Sequence, residues 1–318
     1  MTADPAGTDP AGAGAAGAGA AGGTRVGVVG LGAIGGGIAH RLLDQGYDVT
    51  VYNRTPGRAE AIAAHGARVA SSLADLAGAV DLVLLSLADA AAVDAVCFGG
   101  AGAGLADRLP AGVLVADLST VSPDFARELA GRLARTGVRV LDACVLGNAQ
   151  HAREGQLRFM VGGATEDLAA ARPVLEAAGK EIVHLGGHGS GATMKLALNL
   201  VMGVQLQAMA EAVVLGQRAG LSRDTVLELI AASGFSSPVM RFKAGVMKRR
   251  AFERADFRLS LMRKDLTLAL SAAQQLGVPM PACDAAHGVL TAAVDQRLGD
   301  QDCAAVLSYM EGVGGVRA

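Results

Sequence analysis

The 318-residue sequence has no tryptophan, few other aromatic residues and no excess of either charge. Phe, Tyr and Trp together make up 3% of the chain, and 28 Lys and Arg nearly balance 30 Asp and Glu. The longest basic run is Lys248-Arg249-Arg250. Nucleic-acid binding and attachment to a membrane surface both need a basic patch that this balance does not provide. We therefore expect no nucleic-acid partner and no membrane partner.

Cysteine is scarce as well. The chain has four cysteines, Cys97, Cys144, Cys283 and Cys303, and they are far apart in the sequence. No Cys-x-x-Cys pair and no matching histidine spacing is present, which argues against a zinc site and against a disulfide framework. The pattern predicts reduced thiols in a cytoplasmic protein without a bound metal.

Apart from Met1, residues 1–23 have no bulky apolar side chain and are mostly Ala and Gly. Such a segment cannot bury apolar surface, so we predict a disordered tail. It has no basic start and contains Asp4 and Asp9, so it does not resemble a signal peptide. Polar residues such as Asn199 interrupt the apolar stretch Leu196–Leu215, which favours a buried helix over a membrane span.

Short apolar runs alternate with helical patterns between Arg25 and about Gly186. The predicted strands begin at Val26, Val49, Leu82, Val113, Val138, Arg158 and Ile182. This alternation predicts βαβ units and a mainly parallel sheet. After Gly186 only helical patterns follow, and the first runs from about Ala192 to Ala219.

The predicted fold class is therefore an α/β domain with a mainly parallel sheet followed by an all-α helical domain. We assign residues 24–185 to the first domain and residues 186–318 to the second. The first helix of the second domain is about 40 Å long at the helical rise. One small domain does not need that length, so we expect part of the helix to serve a subunit interface.

A Gly-x-Gly-x-x-Gly motif, Gly30-Leu31-Gly32-Ala33-Ile34-Gly35, joins the first predicted strand to the first predicted helix. The first glycine permits a tight turn, the second lets the backbone approach a pyrophosphate, and the third allows close packing of helix on strand. The chain contains 44 glycines, so the motif alone is weak. Its position between strand and helix predicts a dinucleotide site.

The second predicted strand ends in Asn53-Arg54-Thr55, about twenty residues after the glycine motif. An NAD site usually places Asp or Glu here to hold the adenosine ribose. A carboxylate would repel a 2′-phosphate, whereas the guanidinium of Arg54 can pair with one. Arg54, supported by Asn53 and Thr55, therefore predicts NADPH as the cofactor; the alternative is a solvated arginine at the end of a strand. The predicted fold is then an α/β Rossmann-type dinucleotide-binding domain followed by an all-α helical domain, with residues 24–185 as the NADP-binding domain and residues 186–318 as a substrate and dimerisation domain.

Lys195 and Asn199 are four residues apart at the start of the helical half, so they share one helix face. Burying an ammonium and an amide on an apolar helix is costly unless they line a cleft. A partly desolvated lysine can serve as a general acid in carbonyl reduction. The spacing alone is equally compatible with a surface lysine and a capping asparagine.

From residue 25 to 310 the sequence resembles the β-hydroxyacid dehydrogenases, which include 3-hydroxyisobutyrate dehydrogenase and the glyoxylate/succinic semialdehyde reductases. The motifs that carry the resemblance are GLGAIG at 30–35, NRT at 53–55, DLSTVSP at 117–123, DACVLGN at 142–148, GxGxxxKLxxN at 189–199 and KDLTLAL at 264–270. The resemblance implies an oxidoreductase with a Rossmann domain, a helical domain like that of 6-phosphogluconate dehydrogenase, and assembly as a homodimer or homotetramer.

The resemblance also implies roles for individual residues. Lys195 would protonate the substrate oxygen as hydride arrives from the nicotinamide, and Asn199 would orient the substrate. The implied cofactor contacts are Ser119 and Thr120 beside the nicotinamide half, Leu87 and Ala88 around the ribose, and Lys264, which reaches back to the cofactor. Asp265 would be structural.

The sequence departs from the family in the loop that binds the substrate carboxylate, D-x-P-V-S-G-G. Here Cys144 stands for the proline, Leu146 for the serine and Asn148 for the second glycine. Losing a hydrogen bond to a carboxylate costs about 1.5–3 kcal/mol, roughly a ten- to hundred-fold loss of affinity. The backbone of Gly147 and Asn148 could still bind an anion, and Asn148 or His151 could replace the serine.

These observations predict an NADPH-dependent reductase of an aldehyde or keto acid bulkier than glyoxylate. The first alternative is an imine reductase. Leu146 favours that alternative because an imine needs no carboxylate clamp, whereas Lys195 opposes it because imine reductases usually carry Asp or Tyr there. The second alternative is a catalytically silent protein that binds NADPH or a protein partner, from which the lysine would be expected to be lost.

Overall fold

The computed structural model describes residues 23–55, 57–99 and 104–316. The expectation of a disordered tail therefore lies outside the described residues, except for Gly23. Within the described part, a sheet with flanking helices extends to His184 and is followed by helices from Ser190 onward. The predicted fold class, an α/β Rossmann-type domain followed by an all-α domain, is confirmed.

One sheet of eight strands forms the first half. The strands are β1 (Arg25–Val29), β2 (Asp48–Tyr52), β3 (Arg68–Val69), β4 (Leu82–Leu85), β5 (Leu114–Asp117), β6 (Arg139–Leu146), β7 (Leu157–Gly163) and β8 (Gly179–His184). Their order is β3-β2-β1-β4-β5-β6-β7-β8. All neighbouring pairs are parallel except β6 and β7. The strand order reverses between β1 and β4, where dinucleotides bind in such sheets.

Seven α-helices accompany the sheet within the part of the chain that the structure describes. They are α1 (Ala33–Asp44), α2 (Gly57–Ala63), α3 (Leu73–Ala77), α4 (Ala90–Phe98), α5 (Pro123–Ala134), α6 (Ala149–Arg153) and α7 (Thr165–Ala178). The inner strands are apolar on both faces, and each face contributes to its own buried cluster. Ile38 and Leu42 of α1 belong to one cluster, and Leu129 and Leu133 of α5 belong to the other. Helices on both faces are what a parallel sheet requires.

The antiparallel pairing of β6 with β7 follows from the short segment between them. A parallel crossover needs a dozen or more residues, whereas only 147–156 separate these two strands, and α6 occupies half of that segment. Leu141 therefore pairs with Gly163 and Leu146 with Arg158. The short return keeps α6 beside the carboxyl end of β6, where it packs against α1. A Cβ on Gly37 of α1 would come within 2.6 Å of the Ala152 Cβ.

Six α-helices form the described part of the second half, residues 186–316. They are α8 (Ser190–Arg218), α9 (Arg223–Ala232), α10 (Pro238–Arg249), α11 (Leu259–Gln275), α12 (Pro281–Ala293) and α13 (Val306–Val313). Their apolar faces enclose one core, which includes Leu206, Met247, Leu266 and Leu307. Inside it, the ammonium of Lys243 lies 2.8 and 2.7 Å from the two carboxylate oxygens of Asp302.

Helix α8 is the longest element of the described chain. By length and composition alone it could cross a membrane, and 44% of its most apolar window is buried within the protein. Its first turn packs against the sheet. There Asp142, the last residue of β6 that pairs with β5, accepts hydrogen bonds from the Gly189 and Ala192 amides (3.0 and 3.1 Å). A carboxylate at a helix N-terminus satisfies free amides and favours the helix dipole. This contact fixes the start of α8 against the Rossmann domain.

Several short elements were not predicted. Strand β3 has two exposed residues at the edge of the sheet, and α6 has only five residues. Helices α10 and α13 were also missed, although α10 has a readable start: the Ser237 side chain accepts from the Met240 amide (3.3 Å), and Pro238 occupies the first helical position. The last part of α12 gives way to a turn in which Arg297 has a φ of 66°.

Candidate active site

The carboxyl ends of β1, β4, β5 and β6 meet at one edge of the sheet, and helices of the second half reach the same edge. Lys195 of α8 donates to the Val145 carbonyl of β6 (2.9 Å). Lys264 of α11 donates to the Thr120 carbonyl, three residues after β5 (2.6 Å). Side chains of both halves therefore meet between the sheet edge and the two helices, and we call this junction the cleft. Crevices at this edge are where open α/β sheets bind ligands.

The glycine motif adopts the geometry that its three glycines were predicted to serve. Gly30 has a φ of +93°, and a Cβ there would come within 2.3 Å of the Ser86 carbonyl oxygen. A Cβ on Gly35 would come within 2.0 Å of the Gly30 carbonyl oxygen. A Cβ on Gly32 would meet nothing within 4 Å. The open side of Gly32, at the uncapped N-terminus of the twelve-residue α1, fits a pyrophosphate.

Asn53 and Arg54 lie beside this loop and behave differently. The Asn53 side chain accepts from the Leu31 amide (3.0 Å) and donates to the Thr55 carbonyl (2.8 Å), so it ties the end of β2 to the glycine loop. Arg54 is exposed and has no ion-pair partner among the described residues. Its guanidinium charge is therefore available for an anion, as is that of exposed Arg58.

Ser119 connects two strand ends. Its hydroxyl accepts from the Leu87 amide after β4 (3.0 Å), and its own amide donates to the Asp117 carboxylate at the end of β5 (2.9 Å). Asp117 is buried, and desolvation raises the pKa of its carboxyl to about 6, although the hydrogen bonds from Ser119 oppose that rise. Leu87 and Ser119 are thus held together, whereas Ala88 is exposed at the rim.

Lys195 is half-buried one turn inside α8. Desolvation lowers the pKa of its ammonium, and the negative charge of Asp265 works in the opposite direction. The positive charge of Lys264 adds to the lowering. A lysine in this environment gives up its proton more readily than a solvated one, which suits a general acid near neutral pH.

Asn199 follows Lys195 by one helical turn and is buried. Its amide nitrogen lies 2.5 Å from the Asp265 Oδ2, and the Lys264 ammonium lies 3.1 Å from the Asp265 Oδ1. Asp265 is 1% exposed. Two cations, one carboxylate and one amide therefore meet between α8 and α11, with the Thr120 carbonyl on the opposite wall.

The segment predicted to bind substrate follows β6 directly. Gly147 has a φ of +140°, and Asn148 caps α6 in a reciprocal arrangement with His151. The Asn148 Oδ1 accepts from the His151 amide (3.0 Å), and the Asn148 amide donates to the His151 Nδ1 (3.3 Å). Both groups considered as replacements for the serine are therefore engaged with each other. Leu146 is half-buried beside the core.

The structure brings together most of the residues that the sequence singled out. Lys195, Asn199 and Lys264 join Thr120 and the end of β6 in the cleft, while Asn53 contacts the glycine loop at the other end of the edge. Sequence reasoning assigned a structural role to one of the three buried carboxylates at this edge, Asp265, and missed the other two, Asp117 and Asp142. An acidic residue at the end of a buried strand, as Asp117 is in β5, was the available signal.

Two protein families match consecutive parts of the chain. Residues 25–186 match the NAD binding domain of 6-phosphogluconate dehydrogenase. Residues 189–310 match the family described as NAD-binding of NADP-dependent 3-hydroxyisobutyrate dehydrogenase. Both descriptions name nicotinamide dinucleotide enzymes, so the cleft belongs to an enzyme that uses such a cofactor.

Curated relatives align over most of the chain. The 2-(hydroxymethyl)glutarate dehydrogenase of Eubacterium barkeri is 33% identical over 279 residues, which cover 88% of this chain and 92% of the relative. The 3-hydroxyisobutyrate dehydrogenase of Pseudomonas aeruginosa is 34% identical over 252 residues, 77% of this chain and 84% of the relative. Both relatives are named as dehydrogenases of hydroxy acids.

Solved structures agree with the sequence relatives. A 3-hydroxyisobutyrate dehydrogenase from Salmonella typhimurium has a TM-score of 0.83 at 29% identity and covers 90% of this chain and 99% of its own. Psf3, solved in complex with NADP+ and 2-OPP, has a TM-score of 0.80 at 26% identity, with 89% and 99% covered. An imine reductase from Pseudomonas sp. shares the fold alone, at 22% identity and a TM-score of 0.58, with 90% and 99% covered. The chain belongs to the β-hydroxyacid dehydrogenase family of NAD(P)-dependent oxidoreductases.

Proposed function

We propose that the chain is an NADPH-dependent reductase that converts a carbonyl to an alcohol. The observation that carries this proposal is the environment of Lys195. Its ammonium reaches the cleft at the end of β6, half-buried, and desolvation lowers its pKa. A proton donor at that point is what carbonyl reduction requires, since the carbonyl oxygen must gain a proton as its carbon gains hydride.

The cofactor, when bound, supplies the hydride. The glycine loop and the N-terminus of α1 would hold its pyrophosphate, and Ser119 with Leu87 would form the wall beside its nicotinamide half. Lys195 holds a proton at Nζ and passes it to the substrate oxygen. Asn199, one turn further along α8, orients the substrate beside Lys195. In the reverse direction Lys195 would take the proton from the alcohol.

The preference for NADPH over NADH rests on the end of β2. Arg54 and Arg58 are exposed and lack ion-pair partners in the described part of the chain. Asn53, the residue before Arg54, is neutral and is turned toward the glycine loop. None of the three residues 53–55 has a carboxylate side chain, which would repel a 2′-phosphate. The guanidinium of Arg54 can instead pair with that phosphate.

The substrate is proposed to be an aldehyde or keto acid bulkier than glyoxylate. Leu146 presents an apolar side chain where the family binds a carboxylate with a serine hydroxyl. Asn148 and His151 cap α6 together. The Asn148 Oδ1 and the His151 Nδ1 are used in that cap, so these two atoms do not replace the serine hydroxyl. An apolar wall favours a substrate with an apolar body over a small, fully polar acid.

Imine reduction is the second candidate, and Leu146 is the observation that favours it. An imine substrate needs no clamp for a carboxylate. Lys195 opposes this candidate, because it is placed as a proton donor to oxygen and replaces the Asp or Tyr of imine reductases. A catalytically silent protein would have no use for a lysine held in a buried network.

We also propose that the enzyme acts in the cytoplasm as a homodimer or homotetramer, with the two domains divided at 185/186. Large apolar side chains are exposed on the helical half, including Val201 (50%), Leu215 (72%) and Leu229 (67%). Surfaces of this kind mark association sites. Light scattering of the purified chain measures the assembly, and a monomer at micromolar concentration would contradict this part of the proposal.

The function is tested by following NADPH oxidation through the nicotinamide absorbance. Glyoxylate, succinic semialdehyde, a bulky aldehyde and a cyclic imine are each assayed with NADPH and with NADH. Turnover of the bulky aldehyde with NADPH supports the proposal. Turnover of the imine alone supports the second candidate. A chain that binds NADPH but oxidises it with none of several dozen carbonyls or imines would contradict the enzymatic proposal.

A further inference from the structure

Asp265, the acidic residue of the KDL motif, is buried where α11 meets α8 and contacts Asn199 and Lys264. It is 1% exposed and directly follows Lys264 on α11. Burying a carboxylate is costly unless cations or hydrogen-bond donors compensate it. The groups around Asp265 are therefore informative about its role.

Two neighbours contact the two carboxylate oxygens separately. The Asn199 amide nitrogen donates to Oδ2 at 2.5 Å. The Lys264 ammonium lies 3.1 Å from Oδ1 without hydrogen-bond geometry, and Oδ1 accepts no hydrogen bond from the described residues. Oδ1 therefore interacts with the Lys264 ammonium through its charge, whereas Oδ2 accepts a hydrogen bond from Asn199.

The contact at Oδ2 determines how Asn199 faces the cleft. A carboxylate can only accept hydrogen bonds, so the amide nitrogen of Asn199 must point at Asp265. The amide oxygen of Asn199 makes no hydrogen bond within the described chain. It is left for a ligand, and as an acceptor it suits a hydroxyl or an N–H group. Without Asp265 the amide could turn over and present its nitrogen instead.

The charges that face Lys195 come from two elements. Helix α11 contributes Asp265 and Lys264, with opposite effects on its pKa. Strand β6 contributes the Val145 carbonyl and the Cys144 thiol. Burial raises the pKa of Cys144, so its sulfur is a neutral thiol at ordinary pH. From the side of β5, Asp117 interacts with Lys264.

Asp265 is therefore the one negative charge at ordinary pH that the described residues bring to bear on Lys195. Desolvation and Lys264 both favour the neutral amine of Lys195, and the largest opposing contribution comes from Asp265. Lys264 and Asp265 are neighbours in the KDL motif, and their charges have opposite effects on the pKa of Lys195. A single buried side chain thus contacts or influences both residues assigned to the reaction.

We propose that Asp265 is a positioning residue that fixes the amide of Asn199 and supplies a negative charge that favours the ammonium form of Lys195, one turn before Asn199 on the same face of α8. This inference rests on the proposed function in one respect, that Lys195 is the acid of the reaction. Its electrostatic content concerns Lys195 itself and can be measured without any substrate.

The test compares the wild-type chain with Asp265→Asn and Asp265→Ser. Lys195 is modified with a reagent that attacks neutral amines, such as dinitrofluorobenzene, over a range of pH, and its peptide is quantified by mass spectrometry. Removing a neighbouring negative charge shifts a lysine pKa by about one unit or more. We expect the midpoint of Lys195 modification to fall by about one pH unit in both variants. The exposed Lys180 serves as the internal reference in each digest.

Glu311→Gln is the matched control. Glu311 is a buried carboxylate of the same domain, 1% exposed and paired with Arg250, and its charge does not contribute to the pKa of Lys195. The pH midpoint of Lys195 modification in Glu311→Gln should equal that of the wild type. An unchanged midpoint in the two Asp265 variants, or an equal fall in Glu311→Gln, overturns the inference. Asp265→Ser covers the case in which Asp265→Asn does not fold, because it inserts no unpaired amide.

Kinetics separate this inference from the proposed function. In Asp265→Asn the alkaline limb of kcat/KM should move to lower pH together with the modification midpoint, while the NADPH Kd stays within about two-fold, a difference of about 0.4 kcal/mol. A shifted midpoint in a chain that reduces nothing would leave Asp265 as proposed and contradict the enzymatic function. Normal reduction of substrate with an unshifted midpoint in the Asp265 variants would support the enzymatic function and contradict the role proposed for Asp265.

Discussion

The ammonium of Lys195 donates to the main-chain carbonyl of Val145 across a distance of 2.9 Å. Val145 immediately precedes Leu146, so the proposed acid of the reaction is anchored to the strand that carries the altered substrate loop. Asp142, three residues earlier on the same strand, caps the helix that carries Lys195. One strand therefore positions both the proton donor and the side chain that we propose selects the substrate.

Replacing Lys195 with methionine is expected to lower kcat by about 10²–10⁴, the contribution of a positioned general acid. The cofactor would still bind, since the glycine loop and Arg54 are untouched. In the wild type, reduction requires the ammonium, so its rate should fall as pH rises through the lowered pKa of Lys195. This alkaline limb should be absent from the residual activity of Lys195→Met. Stopped-flow and steady-state rates across pH measure both effects.

The control for that experiment is Lys180→Met, because Lys180 is exposed on the edge strand β8. It should keep the wild-type rate and pH profile. Full activity in Lys195→Met would remove the lysine from the mechanism, and so would a pH profile identical to that of the wild type.

The choice of cofactor should depend on Arg54. Arg54→Asp replaces an exposed guanidinium with a carboxylate that repels a 2′-phosphate and can accept from ribose hydroxyls. We expect the NADPH Kd to rise at least ten-fold, about 1.4 kcal/mol, while the NADH Kd is unchanged or improved. Fluorescence titration with each cofactor gives the two constants.

Arg135→Asp makes the same charge change at the C-terminal end of α5, away from the cleft. Its two constants should match those of the wild type. Equal losses for NADPH and NADH in Arg54→Asp would mean that the arginine does not read the phosphate.

The sequence predicted the fold well because the decisive signals are local. An apolar run such as Leu82–Ser86 predicts a buried parallel strand by itself. The glycine motif likewise predicts the turn after β1 without information from the rest of the chain. Strand β3 could not be found this way, since Arg68 and Val69 are exposed and form a strand only through pairing with Thr50 and Val51. Pairing of that kind is non-local, and two residues carry no periodicity.

The site was predictable only in part, for the same physical reason. Lys195 and Asn199 share a helix face by spacing, so their association was readable from sequence. The contact between Asn199 and Asp265 joins residues 66 positions apart and depends on how α8 packs against α11. The pairing of Asn148 with His151 was local, yet it became visible only once α6 was seen to begin at Ala149.

Restoring the serine of the substrate loop should restore small acids as substrates. Leu146→Ser offers a hydroxyl at the half-buried position after Val145, and a hydrogen bond to a carboxylate contributes about 1.5–3 kcal/mol. We expect KM for succinic semialdehyde or glyoxylate to fall about ten- to hundred-fold with kcat much less affected. Leu146→Ala separates the hydroxyl from the added space, and an equal gain in both variants would assign the effect to volume alone.

The buried Asp117 should make the stability of the protein depend on pH between about 4 and 6. Its pKa is raised from an ordinary 3.8 to about 6 in the folded chain, chiefly by desolvation. The folded state therefore holds this proton more tightly than the unfolded state. The resulting stabilisation is complete below about pH 4 and is lost as pH rises through 6.

Asp117→Asn removes this titration and leaves an oxygen to accept from the Ser119 amide. The free energy of unfolding should then fall less between pH 4 and 7 than it does in the wild type, by on the order of 2–3 kcal/mol. Urea titrations at several pH values measure the difference. Asp107→Asn, at an exposed position, should follow the wild-type curve. If Asp117→Asn also follows the wild-type curve, the pKa of Asp117 is not raised by folding. The stability of the protein would then not depend on the titration of this carboxyl.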